Sequence, residues 1–281
     1  MKKVIVWTLV CCLMLCGCQI TITPATEASA PSTEAAPTAS TGETAEPTEA
    51  TVTATAAPTL PAEEKVTVYL LEKTVIFDSG YTEYTYDGSN SIDCYTTYTI
   101  ENELMCKGLF EQKDENGMAG CFRLQWPDGQ SEDRTLAYFG DGKLKEELYT
   151  GSNYTGNQYD YDQVGNLTQK REYYDGVLFS LTCYEYDGET LVSAYGEDKE
   201  GNRLFECRVE NGRIVETKHY DYGTPQSCLY KYDENGNLIE TSYLIEGEKI
   251  PGEQYTYRMV EVDWEQAHYL QLQQRYLIPI P

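Results

Sequence analysis

Eight glycines recur almost regularly through the second half of this 281-residue chain: Gly165, Gly176, Gly188, Gly201, Gly212, Gly223, Gly236 and Gly247, at intervals of 11, 12, 13, 11, 11, 13 and 11. Each interval is the length of one strand plus one tight turn. Most of these glycines stand in turn chemistry, as in Asp162-Gln-Val-Gly165-Asn, Asp198-Lys-Glu-Gly201-Asn and Asp233-Glu-Asn-Gly236-Asn. Asp opens such a turn by hydrogen-bonding nearby backbone, and Gly closes it at positive φ. The beat predicts a long antiparallel meander, with strand over nearly all of residues 66–260.

A second signal runs in register with the first. Tyr84/Tyr86, Tyr159/Tyr161, Tyr184/Tyr186, Tyr230/Tyr232 and Tyr255/Tyr257 are pairs at alternate positions, so each pair puts two rings on one strand face. Spacings of 25 residues from Tyr159 to Tyr184 and from Tyr230 to Tyr255 make the unit a hairpin. The strand faces are mixed: Phe205, Cys207 and Val209 share an apolar face, while Ile214, Glu216, Lys218 and Tyr220 are read as sharing another. With few Leu, Ile and Phe, the expected sheet has a thin core and stays open or curls, held by cross-strand aromatic pairs. Residues 263–276 are rich in helix formers and predict a short capping helix with Trp264 and Ala267 on its apolar stripe.

The segments Tyr159-Asp-Tyr-Asp-Gln-Val-Gly-Asn-Leu167, Tyr184-Glu-Tyr-Asp-Gly-Glu-Thr-Leu191 and Tyr230-Lys-Tyr-Asp-Glu-Asn-Gly-Asn-Leu238 resemble YD repeats of the RHS type. The likeness covers about residues 159–245. Earlier, Tyr138-Phe-Gly-Asp-Gly-Lys-Leu-Lys-Glu-Glu-Leu-Tyr149 resembles MORN-like hairpin repeats. Both resemblances imply an all-β hairpin array. RHS proteins wind long arrays into shells around a toxin, and this chain has too few repeats for that role.

At the N-terminus Lys2 and Lys3 precede an apolar run ending in Leu15-Cys16-Gly17-Cys18, the pattern of an export signal. It resembles the lipobox of bacterial lipoproteins, which implies that residues 1–17 are removed and that Cys18 is acylated on sulfur. Residues 18–64 are then a stalk of Thr, Ala, Pro and Glu that cannot offset its own ordering entropy. A flexible chain of that length spans on the order of 40 Å. Residues 65–281 form the repeat domain. The full chain carries 46 acidic and 21 basic residues. Cleavage would leave 19 basic residues, a net of −27. Such a surface disfavours nucleic acid.

Six cysteines follow the stalk: Cys94, Cys106, Cys121, Cys183, Cys207 and Cys228. The repeat places Cys183 and Cys207 at equivalent points two strands apart, about 9–10 Å, beyond the roughly 7 Å a disulfide allows. Both are expected to be small buried thiols; the spacing leaves the state of the other four open. No metal or cofactor is expected, because neither Cys-x-x-Cys nor His-based ligand spacing occurs. The Asp-x-x-Gly turns lack the alternating oxygen ligands of a calcium loop. Nucleophile, Walker and zinc-protease motifs are missing, and His219 and His268 are the only histidines, so no catalytic residue is assigned.

The functional expectation is an extracytoplasmic, lipid-anchored and non-enzymatic module on a bacterial cell membrane, binding glycan or protein. Tyr159, Tyr161, Tyr184, Tyr186, Tyr230, Tyr232 and Trp126 are the stacking candidates. One alternative is an envelope assembly protein pairing through exposed sheet edges. Another is an enzyme on wall polymers, which would require a cleft with convergent carboxylates.

Overall fold

A computed structural model describes residues 65–220 and 226–278. The first eight strands are β1 (Val66–Ile76), β2 (Gly80–Tyr86), β3 (Ile92–Thr99), β4 (Leu104–Lys113), β5 (Ala119–Gln125), β6 (Ser131–Tyr138), β7 (Leu144–Tyr149) and β8 (Gly156–Tyr161). The next eight are β9 (Leu167–Tyr174), β10 (Val177–Asp187), β11 (Thr190–Asp198), β12 (Arg203–Glu210), β13 (Arg213–His219), β14 (Gln226–Tyr232), β15 (Leu238–Ile245) and β16 (Glu248–Val262). A helix, α1 (Trp264–Leu277), follows. The signal, Cys18 and the stalk lie outside the described residues.

Every sequential strand pair is antiparallel, and β1 also pairs with β16, from Val66↔Val262 to Ile76↔Glu253. The sheet is therefore a closed sixteen-stranded barrel, which corrects the expectation of an open or curled one. The turns behave as their sequences require. Asp162 Oδ1 accepts from the backbone N–H of Val164 at 3.0 Å and of Asn166 at 2.9 Å, and Gly165 takes φ +95°. Asp198 and Asp233 build the same turn.

What the sequence did not reveal is a bulge repeated one residue into the returning strand. Asp160 pairs with Gln169 but Tyr161 with Leu167, leaving Thr168 unopposed. Asp93, Lys145, Val192, Val215 and Ile239 are the corresponding extra residues elsewhere. A bulge bends its strand and increases local twist. The same bend, applied hairpin after hairpin, coils the sheet until its ends meet. Val215 also reverses the face of its strand, so Ile214 is buried on the opposite side from Glu216 and Lys218. The expected common face is thus corrected.

Closure makes β-structure edges scarce. β1 pairs with β2 only from Lys73 onward, so residues 66–71 pair with β16 alone as an overhanging ribbon. Helix α1 covers it. Asp263 caps the helix by accepting from Gln266 N at 2.8 Å, and Ala267 and Leu270 pack on Val68, Leu70 and Val262. Trp264 is exposed, so the buried stripe is Ala267 and Leu270 rather than Trp264 and Ala267. Two buried glutamines close strand backbone: Gln274 Oε1 accepts from Leu71 N at 2.7 Å and Gln273 Oε1 from Ile92 N at 2.9 Å. The last turn of α1 reaches the barrel interior, where Tyr276 meets Phe110 edge-on.

The cysteine registration is corrected too. Tyr184 pairs with Ala194, and Ala194 with Cys207, whereas Cys183 pairs with Tyr195. Cys207 therefore shares the inner face with Tyr184, and Cys183 lies on the outer one. None of the six described cysteines is joined to another by a disulfide, and Cys183 and Cys207, expected to be buried, are half-buried.

Gly156 marks a place where only glycine fits. Its φ is +146°, and an added Cβ would stand 2.0 Å from the Glu147 carbonyl oxygen. Gly156→Ala is expected to lose roughly 1–3 kcal/mol and to spread β7 from β8. Urea denaturation would measure the loss, and hydrogen exchange at Leu148 and Asn157 would locate it.

Candidate functional site

Closure turns the tyrosine faces inward. A barrel of sixteen strands encloses more space than aliphatic side chains fill, and here its inner wall is lined by rings, most of them half-buried. Tyr84, Tyr159, Tyr184, Tyr230 and Tyr255 form one tier. Tyr86, Tyr138, Tyr161, Tyr186, Tyr232 and Tyr257 form a second, nearer the helix. Five of the second tier act as clasps, donating their phenol to a carbonyl on the preceding strand. These are Tyr86 to Leu71 at 2.6 Å, Tyr138 to Ala119 at 2.8 Å, Tyr161 to Leu144 at 3.0 Å, Tyr232 to Ile214 at 2.8 Å and Tyr257 to Leu238 at 2.8 Å.

Burial pushes these phenols up: to about 12 at Tyr84, Tyr161 and Tyr232, and well above the ordinary value at Tyr159 and Tyr230. Tyr184 and Tyr186 are raised by the same cause. The six stacking tyrosines thus line the inner wall, out of reach of a polymer passing outside, except that Tyr161 also borders a rim cleft. Trp126 is half-buried against the core cluster of Phe110, Phe122 and Leu124.

Two interior carboxylates differ in company. Glu147, 5% exposed, accepts from Arg134 at 2.7 Å, from the Tyr276 phenol at 2.9 Å and from Asn157 at 3.3 Å. Glu253 accepts from the Tyr255 phenol, and desolvation raises its pKa despite that bond.

The cleft, of about 270 Å³, lies between the β6–β7 and β8–β9 turns. Phe139 and Tyr161 meet edge-on with centroids 5.9 Å apart, and Val164 adds an exposed apolar wall. Asp141, Lys143 and Asp162 supply polar groups. Lys143 pairs with Asp141 and lies 5.9 Å from the Tyr161 ring centroid. The Lys143 hydrogen bond holds the Asp141 carboxyl below its usual range. At Asp162 desolvation is outweighed by bonds from Asn166, Val164 and Gly165, and the net shift is again downward.

The sequence carried one signal for this place. Phe139 N donates to Lys143 O, and Gly142 N to Phe139 O, which is the hydrogen-bond pattern of Asp162, Gly165 and Asn166. Phe139 therefore occupies the turn-opening position that Asp holds in the YD-like units. A large apolar ring where turn chemistry favours Asp is a departure that turn formation does not explain.

No protein-family model matches the chain, and no curated protein matches it. Among solved structures it is similar to the crystal structure of TcdB2-TccC3-Cdc42, at 9% identity over 66% of this chain and 14% of that one, with a TM-score of 0.29. It is also similar to a porin-like protein from Bacteroides uniformis, at 13% identity over 70% of this chain and 99% of that one, with a TM-score of 0.43. The chain thus spans about a seventh of the first of these.

Proposed function

We propose that this chain is an extracytoplasmic lipoprotein, anchored through Cys18 and raised on the 18–64 stalk, whose barrel is a non-enzymatic binding module at the cell surface. The observation that carries the reading is the rim cleft. Its two aromatic faces and Val164 suit the apolar face of a sugar ring, and Asp141, Lys143 and Asp162 suit its hydroxyls. A glycan is therefore the ligand the cleft favours.

Other features support the same reading. The outer wall carries cross-strand ion pairs such as Arg123–Asp133 at 2.7 Å, Arg208–Glu216 at 3.2 Å and Lys73–Glu83 at 3.1 Å. A lipid-facing barrel presents an apolar band there, so attachment falls to the lipid on Cys18. Glycoside hydrolysis needs one carboxyl held protonated as the acid, and both cleft carboxylates are shifted the other way. Closure of the sheet removes most of the edge that an assembly role would use.

Phe139→Ala is expected to weaken glycan binding about tenfold or more while leaving the thermal midpoint within a few degrees. Glycan arrays followed by titration calorimetry on the wild type and the variant would decide; equal binding by both removes the cleft from the function. Fatty-acid labelling that is lost in Cys18→Ala tests the anchor separately.

A further inference from the structure

Along β1 the chain begins beside α1 and ends at the opposite rim. There the register aligns four outward side chains in one continuous row: Val75 opposite Tyr81, Tyr81 opposite Tyr98, and Tyr98 opposite Leu104. Val75 and Leu104 are 40% and 46% exposed, and the Tyr81 and Tyr98 rings are 5.0 Å apart. The turns at either side add Phe77, 42% exposed, and Ile100, 63% exposed. Six apolar side chains over four neighbouring strands form a surface that folding leaves uncovered. Isolated exposed apolar residues need no explanation, but a contiguous patch marks an interaction surface.

The fringe of the patch selects its partner. The β1–β2 and β3–β4 turns carry Asp78, Glu101 and Glu103 and contain no Lys or Arg. Lys73, over the Tyr81 ring at 3.8 Å, is already paired with Glu83. An acidic fringe repels anionic lipid and a second copy of the same surface, and attracts a cationic one. Val66 stands at the helix end of β1, so the patch lies about 30 Å from it along the strand at 3.3 Å per residue.

We propose that the Val75–Tyr81–Tyr98–Leu104 row is the docking surface for a polypeptide that presents apolar side chains flanked by Lys or Arg. This surface is separate from the rim cleft, and neither depends on the other. Tyr81 and Tyr98 are the rigid anchors, Phe77 and Ile100 complete the apolar centre, and the acidic turns set orientation.

The test uses the full chain and two synthetic amphipathic peptides, one of Leu and Lys and one of Leu and Glu. Hydrogen exchange maps the site, and titration gives affinity for wild type and for Ile100→Glu/Leu104→Glu. The expected result is protection of residues 75–82 and 97–105 by the Leu/Lys peptide only, with binding about tenfold or more weaker in the double variant. That variant is more negative, so diffuse charge attraction would strengthen instead. Unchanged or stronger binding, protection spread round the barrel or centred on the cleft, or self-association that the double variant abolishes would each overturn the proposal. Glycan binding at the cleft is read in the same samples and is expected to persist in the double variant.

Discussion

Glu147→Ala is expected to destabilise the barrel by about 3–5 kcal/mol, the range for removing one partner of a buried ion pair. Glu147 is the acceptor on which three interior elements converge: Arg134 from β6, Asn157 from β8 and Tyr276 from α1. Without it Arg134, whose side chain is 18% exposed, keeps Glu132 at 2.8 Å but loses its interior counter-charge. The Tyr276 phenol loses its acceptor as well, so the helix loosens together with the wall. Glu147→Gln preserves the shape and an acceptor for Tyr276 and is expected to fall between wild type and Ala. Urea midpoints with unchanged slopes measure the effect. A loss below about 1 kcal/mol for Ala, typical of an exposed pair, would mean that water reaches this cluster freely.

Alkaline pH is expected to unfold the protein cooperatively, and the tyrosine tiers are the reason. A phenol in the unfolded chain ionises near 10, whereas Tyr84, Tyr161 and Tyr232 are pushed up to about 12 by burial and most other inward rings are raised too. Between those values the unfolded chain releases protons that the folded barrel retains, so stability falls as pH rises. The contribution is fully present below pH 10 and is lost as pH passes through about 12. For Tyr84 alone, a rise from 10 to about 12 corresponds to roughly 3 kcal/mol; Tyr161 and Tyr232, more open to solvent, contribute less apiece. Phenolate absorbance followed alongside circular dichroism checks this. The inward rings are expected to ionise in step with loss of sheet signal. Ionisation of all 25 tyrosines near 10 with the sheet intact would overturn it.

Legibility followed range along the chain. Asp162, Asp198 and Asp233 with their glycines are local devices, and each turn forms where its residues stand. Asp263 and the helix formers behind it are likewise local, and α1 lies within one residue of the expected 263–276. The first failures come at the bulges. Thr168 and Val215 are ordinary strand residues, and nothing in their identity says that the facing strand skips them. Because side chains alternate with a period of two, one skipped residue reverses every face beyond it. A slip of one residue at Val215 accounts for Ile214 being read with Glu216, and another at Val192 for Cys183 being read with Cys207. The rim cleft was half legible: Phe139 breaks the turn pattern, but its approach to Tyr161 joins two hairpins and depends on their curvature.

The order of strands and turns, the hairpin as repeating unit and the tyrosine pairs on common faces were all settled by sequence, because each rests on neighbours a few residues apart. Closure, the inward direction of the tyrosines and the seating of α1 against β1 were decided only in the tertiary structure. With rings and polar groups on both faces of many strands, hydrophobic patterning does not say which face is inside. That choice comes from the cumulative bend of the bulges and from the pairing of Val66 with Val262, nearly two hundred residues apart along the chain. Once the ends meet, the tyrosines become the interior, and the surface left to partners is the rim and the outer wall.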